Sequence, residues 1–289
     1  PPIDEVRWVG GVDGDAVTAF ANGEVDLVGV PGWDATWIAY DADLGSQLHP
    51  AEPLITSYFG FDTTRPPFDD PDVRRAFLLA LDRERLVPLA EGASSQAAGS
   101  LVPPALWPEG FDPQLEHDPD GARELLDAAG YADRSDLGTI VVNGSGLGVG
   151  PAVETWREEL GVDIEIESMS FGDFLEVLDS RPPEIFTVSW IADYASPHAL
   201  YGLLLDTGAA SNWGDWRDPE FVELLERAAA APTDEVGAAY DAVEAYVAEA
   251  APVIPWAYGE TWWLVADGLR GLGNLTVGLI DFGRVSWDG

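Results

Sequence analysis

Apolar positions along the chain switch repeatedly between a period near two and a period near three and a half, and the switches mark out strands and helices in alternation. Residues 5–9 read as a strand, 15–21 as a helix stopped by Gly23, and 25–30 as a second strand. Gly, Pro and Trp crowd residues 31–37, which reads as a loop at the carboxyl end of that strand, where α/β sheets tend to place ligands. Further on, the order is strand 139–142, helix 151–160, strand 162–167, helix 171–178 and strand 185–190. Alternation of this kind predicts an α/β fold with crossover connections. No fixed period of 20 to 50 residues is visible, which argues against repeat architectures.

Three helices announce themselves by one device: Asp70-Pro71, Asp118-Pro119 and Asp218-Pro219. An Asp accepts hydrogen bonds from the orphan amides of a first turn, and a Pro fits the first helical position because its missing N–H is not needed there. Apolar faces follow each pair, at Val73, Phe77 and Leu81, at Ala122, Leu126 and Ala129, and at Phe221, Leu225 and Ala228. Gly130 stops the second helix. A fourth helix, with Thr233 as its expected cap, runs through Tyr240, Val243 and Val247 until Pro252.

Composition adds a core and an extreme charge. Hydrophobic residues make up 46% of the 289, with 12 Trp and 8 Tyr, enough to fold despite 52 acidic against 14 basic residues and a net charge of −38. At that length two lobes, or one lobe and part of another, are expected. All the basic residues are Arg. Such a surface repels nucleic acid and anionic membranes and reads as a solvated acidic coat. Cysteine is absent, which excludes disulfides and thiol chemistry. No apolar run approaches the roughly 18 residues of a membrane span. The start, Pro1-Pro2-Ile3-Asp4, has no leader character and reads as that of a mature protein or a fragment.

Catalytic motifs fail on detail. The run Gly144-Ser145-Gly146-Leu147-Gly148-Val149-Gly150 follows a strand and precedes a helix, yet its spacing matches neither a dinucleotide fingerprint nor a P-loop, so it reads as a flexible connector. Ser145 lacks the first glycine of a nucleophile elbow. His49, His117 and His198 are scattered, so no metal site or cofactor is expected. A carboxylate pair of the glycosidase type is too easily formed by chance among 52 acids to be diagnostic. Tryptophan is more telling: Trp190, Trp213, Trp216, Trp256, Trp262 and Trp263 crowd the last third, and two or three of them are expected to face a ligand.

Several ordered stretches resemble one family, the dipeptide- and oligopeptide-binding proteins of ABC importers, solute-binding family 5. These are Gly23-Glu24-Val25-Asp26, Tyr58 to Thr63 followed by Pro67 to Phe77, Ala80-Leu81-Asp82-Arg83, Pro103-Pro104 with Leu106-Trp107, and Asp118-Pro119 through Gly130-Tyr131. Leu160-Gly161-Val162, Ser189-Trp190-Ile191-Ala192-Asp193-Tyr194 and Ala251 to Pro255 complete the series. The resemblance implies a two-lobed periplasmic-binding-protein-like fold of type II, with residues 1–57 and 255–289 in lobe I, 58–254 in lobe II, and hinge crossings near 57–60 and 252–256. The family is usually longer, so the amino-terminal part of lobe I and the secretion signal are expected to be missing here.

What the resemblance implies for function is an extracytoplasmic protein, periplasmic or a cell-surface lipoprotein, that captures a peptide or similar small solute by hinge closure. It would work as a monomer with a membrane permease, without catalysis, cofactor or nucleic acid. Asp193 maps to the family's Asp that holds a peptide amino group; Trp190 and Tyr194 flank it. Trp213 and Trp216 are expected to line the cleft, Trp256 and Tyr258 to sit near the hinge, and Trp33 and Trp37 to contribute from lobe I. Some members carry an Arg where this chain has Thr187, so the clamp for a free carboxyl end is missing. Two alternatives stay open: a solute-sensing regulatory domain of the same fold, and a carboxylate-based hydrolase.

Overall fold

A computed structural model describes residues 3–10, 15–51, 54–92, 95–108, 111, 113–144, 148–259, 261–273, 280 and 282–288. The chain divides into two compact units, one of Pro1–Leu54 with Gly259–Gly289 and one of Ile55–Tyr258. The first opens with α1 (Ala16–Ala21), β1 (Leu27–Val30), α2 (Gly32–Ile38) and β2 (Leu48–Ala51). Asp15 caps α1 by accepting from Thr18 N at 2.8 Å. Residues 5–9 form no strand, and no strand among the described residues pairs with them. The expected loop at 31–37 is a helix. Gly, Trp and Thr are weak helix formers, but Ala35 and Ile38 are buried in this unit's core, and that burial outweighs propensity.

The second unit runs β3 (Ile55–Phe61), α3 (Pro71–Leu79), α4 (Arg83–Glu91), β4 (Gln96–Ala97), α5 (Pro119–Ala128), β5 (Thr139–Asn143), α6 (Val149–Leu160) and β6 (Asp163–Glu167). It continues through α7 (Phe171–Ser180), β7 (Ile185–Ile191), α8 (His198–Leu204), α9 (Pro219–Ala229), α10 (Val236–Ala250) and β8 (Val253–Tyr258). The chain then re-enters the first unit as β9 (Thr261–Val265), β10 (Leu269–Arg270) and β11 (Ser286–Trp287). There β9 is the centre of an antiparallel sheet between β1 and β2. The expected crossings at 57/58 and 254/255 fall inside β3 and β8, whereas the units divide at 54/55 and 258/259, because both strands belong whole to one sheet.

All three Asp-Pro starts form as expected. Asp70, Asp118 and Asp218 accept from amides of the first turns of α3, α5 and α9, with Pro at the first helical position each time. The last long helix differs: α10 begins after Glu235 with no side-chain cap, so Thr233 does not play that part.

The second unit's sheet has the order β4-β8-β3-β7-β5-β6. Its middle strand β3 is antiparallel to both β8 and β7, while β5 runs parallel to β6 and β7 through the crossover helices α6 and α7. One face packs Phe59 of β3 edge-on to Trp156 at 5.3 Å and to Trp256 at 5.5 Å, and Trp156 donates its ring N–H to Phe77 O at 2.8 Å. This aromatic block joins α3 and α6 to the sheet.

A buried polar knot stands behind β8. Ser100 Oγ donates to Glu244 Oε2 at 2.6 Å, the Tyr201 hydroxyl donates to the same oxygen, and the Tyr258 hydroxyl accepts from Ser100 N at 3.1 Å. Desolvation pushes the Glu244 carboxyl above the usual range, against the pull of Ser100 and Tyr201. An acid whose folded pKa is raised adds stability below its unfolded pKa and loses it as pH rises through the folded one. Glu244→Gln, which keeps an acceptor for both hydroxyls, is therefore expected to gain stability relative to the parent as pH rises from 4.5 to 7. Urea unfolding at the two pH values checks this; a variant that loses stability relative to the parent over that range would contradict it.

Candidate functional site

Strand β7 loses its cover as it runs. Ile185 and Phe186 are buried, whereas Ser189 and Ile191 are exposed. Ladder partners also run out, since β5 pairs with β7 only at Ile185 and Phe186, while β3 accompanies it to Ile191. Alternation puts Phe186, Val188 and Trp190 on one face. Phe186 roots that face in the core, and Trp190 carries it out, half-buried, to the surface. On the other face Ser189 Oγ and Ser57 Oγ share a hydrogen bond of 2.8 Å, and Ile191 stands open at 55% exposure.

The turn after β7 is pinned by one small residue. Ala192 is buried, so Asp193 on its far side points outward into solvent. Its Oδ2 accepts from Trp190 Nε1 at 3.2 Å, which fixes indole and carboxylate together. Tyr194, 45% exposed, has its phenol pushed up by partial burial and then by the Asp193 charge.

Trp213 reaches the same place from a loop 20 residues later in the chain, and three contacts put it there. Asn212 brackets the loop, donating from Nδ2 to Trp216 O at 2.8 Å and accepting from Trp216 N at 3.2 Å. Gly214 lies against the Phe61 carbonyl so closely that a Cβ would collide with it, and its own carbonyl accepts from Thr63 N at 3.0 Å. Trp213 then meets Trp190 edge-on, centroids 6.0 Å apart at 66°, and donates Nε1 to Asp179 Oδ1 of α7 at 3.0 Å. Asp179 had no signal in the sequence beyond being one acid among many; only the fold brings it to the tryptophans.

The expected residues thus separate. Trp190, Asp193, Tyr194 and Trp213 come together on one open face. Trp216 is buried against Phe221 at 4.8 Å. Trp256 is 2% exposed, edge-on to Phe59, and bonded through Nε1 to Glu91 at 2.7 Å. Tyr258 belongs to the Ser100 knot. These three are packing residues here, because flat side chains of β8 and of the loop before α9 fill the interior rather than face solvent. Trp33 and Trp37 lie in the first unit, at 71% and 49% exposure on α2, with Trp37 Nε1 bonded to Asp34 at 3.1 Å. Within the glycine run, residues 145–147 lie outside the described residues, and Gly148 is not a free connector: a Cβ there would strike the Trp256 ring. Among the described residues no three His, Asp or Glu gather as metal ligands, and no helix is long and apolar enough to cross a membrane.

Comparison with known proteins agrees with this architecture. The family model for bacterial extracellular solute-binding proteins, family 5 Middle, matches residues 1–212. The oligopeptide-binding protein OppA of Bacillus subtilis is 27% identical over 271 residues, covering 88% of this chain and 49% of its own length. Di/tripeptide-binding protein 2 of Pseudomonas aeruginosa is 26% identical, covering 81% and 46%. Among solved structures, the Escherichia coli murein tripeptide binding protein MppA superposes with a TM-score of 0.77 at 21% identity, over 94% of this chain and 55% of its own. Haemophilus influenzae OppA in complex with RPPGFSPFR gives 0.75 at 16%, over 94% and 56%. The fold is that of the type II periplasmic peptide-binding proteins. The chain spans about half the length of the relatives it matches.

Proposed function

The chain belongs to the bacterial extracellular solute-binding proteins of family 5, and on that footing we propose that it takes part in reversible capture of a peptide outside the cytoplasm for delivery to the membrane permease of an ABC importer. The protein acts as a monomer that closes over its ligand, and no bond is made or broken. Ile55–Tyr258 is its second lobe and the remainder a part of its first.

The observation that carries this reading is Asp193. Its carboxylate stands outward at the end of β7 with one oxygen engaged by Trp190 and the remaining lone pairs open to solvent. An ammonium group is the natural partner, since charge-assisted hydrogen bonds are the strong ones. Among the described residues only β3 pairs with β7 from Thr187 to Ile191, which adds support, because an extended peptide can pair with the open side of a strand. With Thr187 in place of an Arg, the free carboxyl end has no guanidinium clamp at that position, and the amino end carries more of the recognition.

Calorimetric titration of the full-length protein with di- to pentapeptides tests this. Asp193→Ala is expected to weaken binding at least about tenfold, or about 1.4 kcal/mol. Acetylating the peptide amino group should weaken the parent similarly and the variant hardly at all, as expected when one contact is removed from either side. Affinity within twofold in the variant rules out the anchor; no binding of any peptide rules out the function.

A further inference from the structure

Two tryptophans at the site each present an indole N–H to a carboxylate, and only one of those carboxylates is needed for a peptide amino group. Resting on the reading above, we infer that Trp190, Trp213 and Asp179 form a side-chain subsite for a cationic group, so that the favoured ligand is a peptide with Arg or Lys near its amino end.

The arrangement is specific in three ways. First, Asp179 holds the far indole as Asp193 holds the near one, at 3.0 and 3.2 Å, so each ring is fixed at its edge by a negative charge. An anion accepting from the ring N–H adds electron density to the π-system, and indole faces already attract cations within about 6 Å of the centroid. Secondly, Asp179 accepts no other hydrogen bond among the described residues, so three of its roughly four lone-pair sites are open. Thirdly, two arginines of the same unit are committed to other carboxylates. Arg217 is paired with Asp215 at 2.8 Å, and Arg65 with Asp62 at 2.5 Å and Glu184 at 3.1 Å. Arg181, past the end of α7, is exposed and makes no ion pair with Asp179 among the described residues. An anionic side chain would meet two carboxylates here, and an apolar one would leave them without a partner.

A protein with net charge −38 attracts any cation over distance, so the experiment must separate the site from the general field. The full-length protein is titrated with Ala-Ala-Ala, Arg-Ala-Ala, Ala-Arg-Ala and Ala-Glu-Ala. We expect at least one Arg peptide to bind about tenfold tighter than Ala-Ala-Ala, and Ala-Glu-Ala to bind more weakly than either. Asp179→Asn keeps an acceptor for Trp213 Nε1 and is expected to bring the Arg-to-Ala ratio below about threefold. Glu226→Gln, the same loss of charge on the exposed surface of α9, should leave the ratio unchanged. An unchanged near-ultraviolet dichroism spectrum in Asp179→Asn verifies that the indoles stay in place. Equal affinity for Arg and Ala peptides overturns the subsite while leaving peptide capture intact. A preference that survives Asp179→Asn, or falls equally in Glu226→Gln, overturns it in favour of the general field. Failure of all four peptides to bind overturns the parent reading itself.

Discussion

Arg74→Ala is expected to destabilise the second unit by about 3–4 kcal/mol, more than any single surface change. Arg74 lies in α3 at 3% exposure, and its guanidinium donates to Phe68 O at 2.8 Å, to Ala250 O at 2.8 Å and to Ala251 O at 3.2 Å. Two of these are terminal carbonyls of α10, which ends on Ala251 in the left-handed region at φ 43°. No glycine is there to ease that turn, and no basic residue of α10 offsets the negative end of its dipole. The guanidinium does both jobs from another helix, just before the chain enters β8. Burial lowers its pKa to about 10, which still leaves it charged at neutral pH. Truncation strands buried carbonyls, each costing about 1–3 kcal/mol without a partner. Arg74→Lys should recover only part, since an ammonium cannot spread its donors over that fan. Urea unfolding decides it; a loss below about 1 kcal/mol in the Ala variant would mean that water replaces the guanidinium.

The contrast between Asp70 and Arg74 shows what was legible in the sequence and what was not. Asp70, Asp118 and Asp218 could be read directly, because a cap is a matter between residues two or three apart. The strand and helix order from residue 139 to 191 was legible for the same reason, with periods two and 3.6 written locally. Residues 31–37 misled because their composition says loop while burial of Ala35 and Ile38 says helix. Residues 5–9 alternate like a strand, but a strand needs a neighbour, and alternation does not supply one. At the site, Asp193 and Trp190 lie three residues apart, so their hydrogen bond is local, although Asp193 was singled out among 52 acids only by the family resemblance. Their link to Trp213 depends on Gly214 meeting the Phe61 carbonyl, and the link to Asp179 on where α7 ends. Neither leaves a mark in one dimension. Trp216, Trp256 and Tyr258 looked like Trp213 in the sequence, and only burial distinguishes them.

Raising NaCl from 0.05 to 1 M at pH 7 is expected to raise the melting temperature by about 6 °C, the equivalent of about 3–4 kcal/mol for a chain of this size. The cause is the excess of acidic over basic side chains. Arginine is too scarce to offset the acids: 14 stand against 52, Arg74 and Arg83 are buried on backbone carbonyls, and Arg123, Arg134 and Arg157 each pair with a neighbouring carboxylate. That leaves most of the 52 carboxylates facing one another across solvent. Unfolding spreads them apart, so their repulsion opposes the compact state. Salt relieves it steeply at first, because the screening length falls from about 14 Å at 0.05 M to about 4 Å at 0.5 M and changes little afterwards. Strengthened hydrophobic burial would instead add stability in proportion to salt concentration. A melting curve that rises and then saturates near 0.5 M, and whose rise shrinks at pH 4.5 as carboxylates protonate, bears the charge argument out. A linear rise of equal size at both pH values would assign the effect to burial and leave the acidic coat without a cost to the fold.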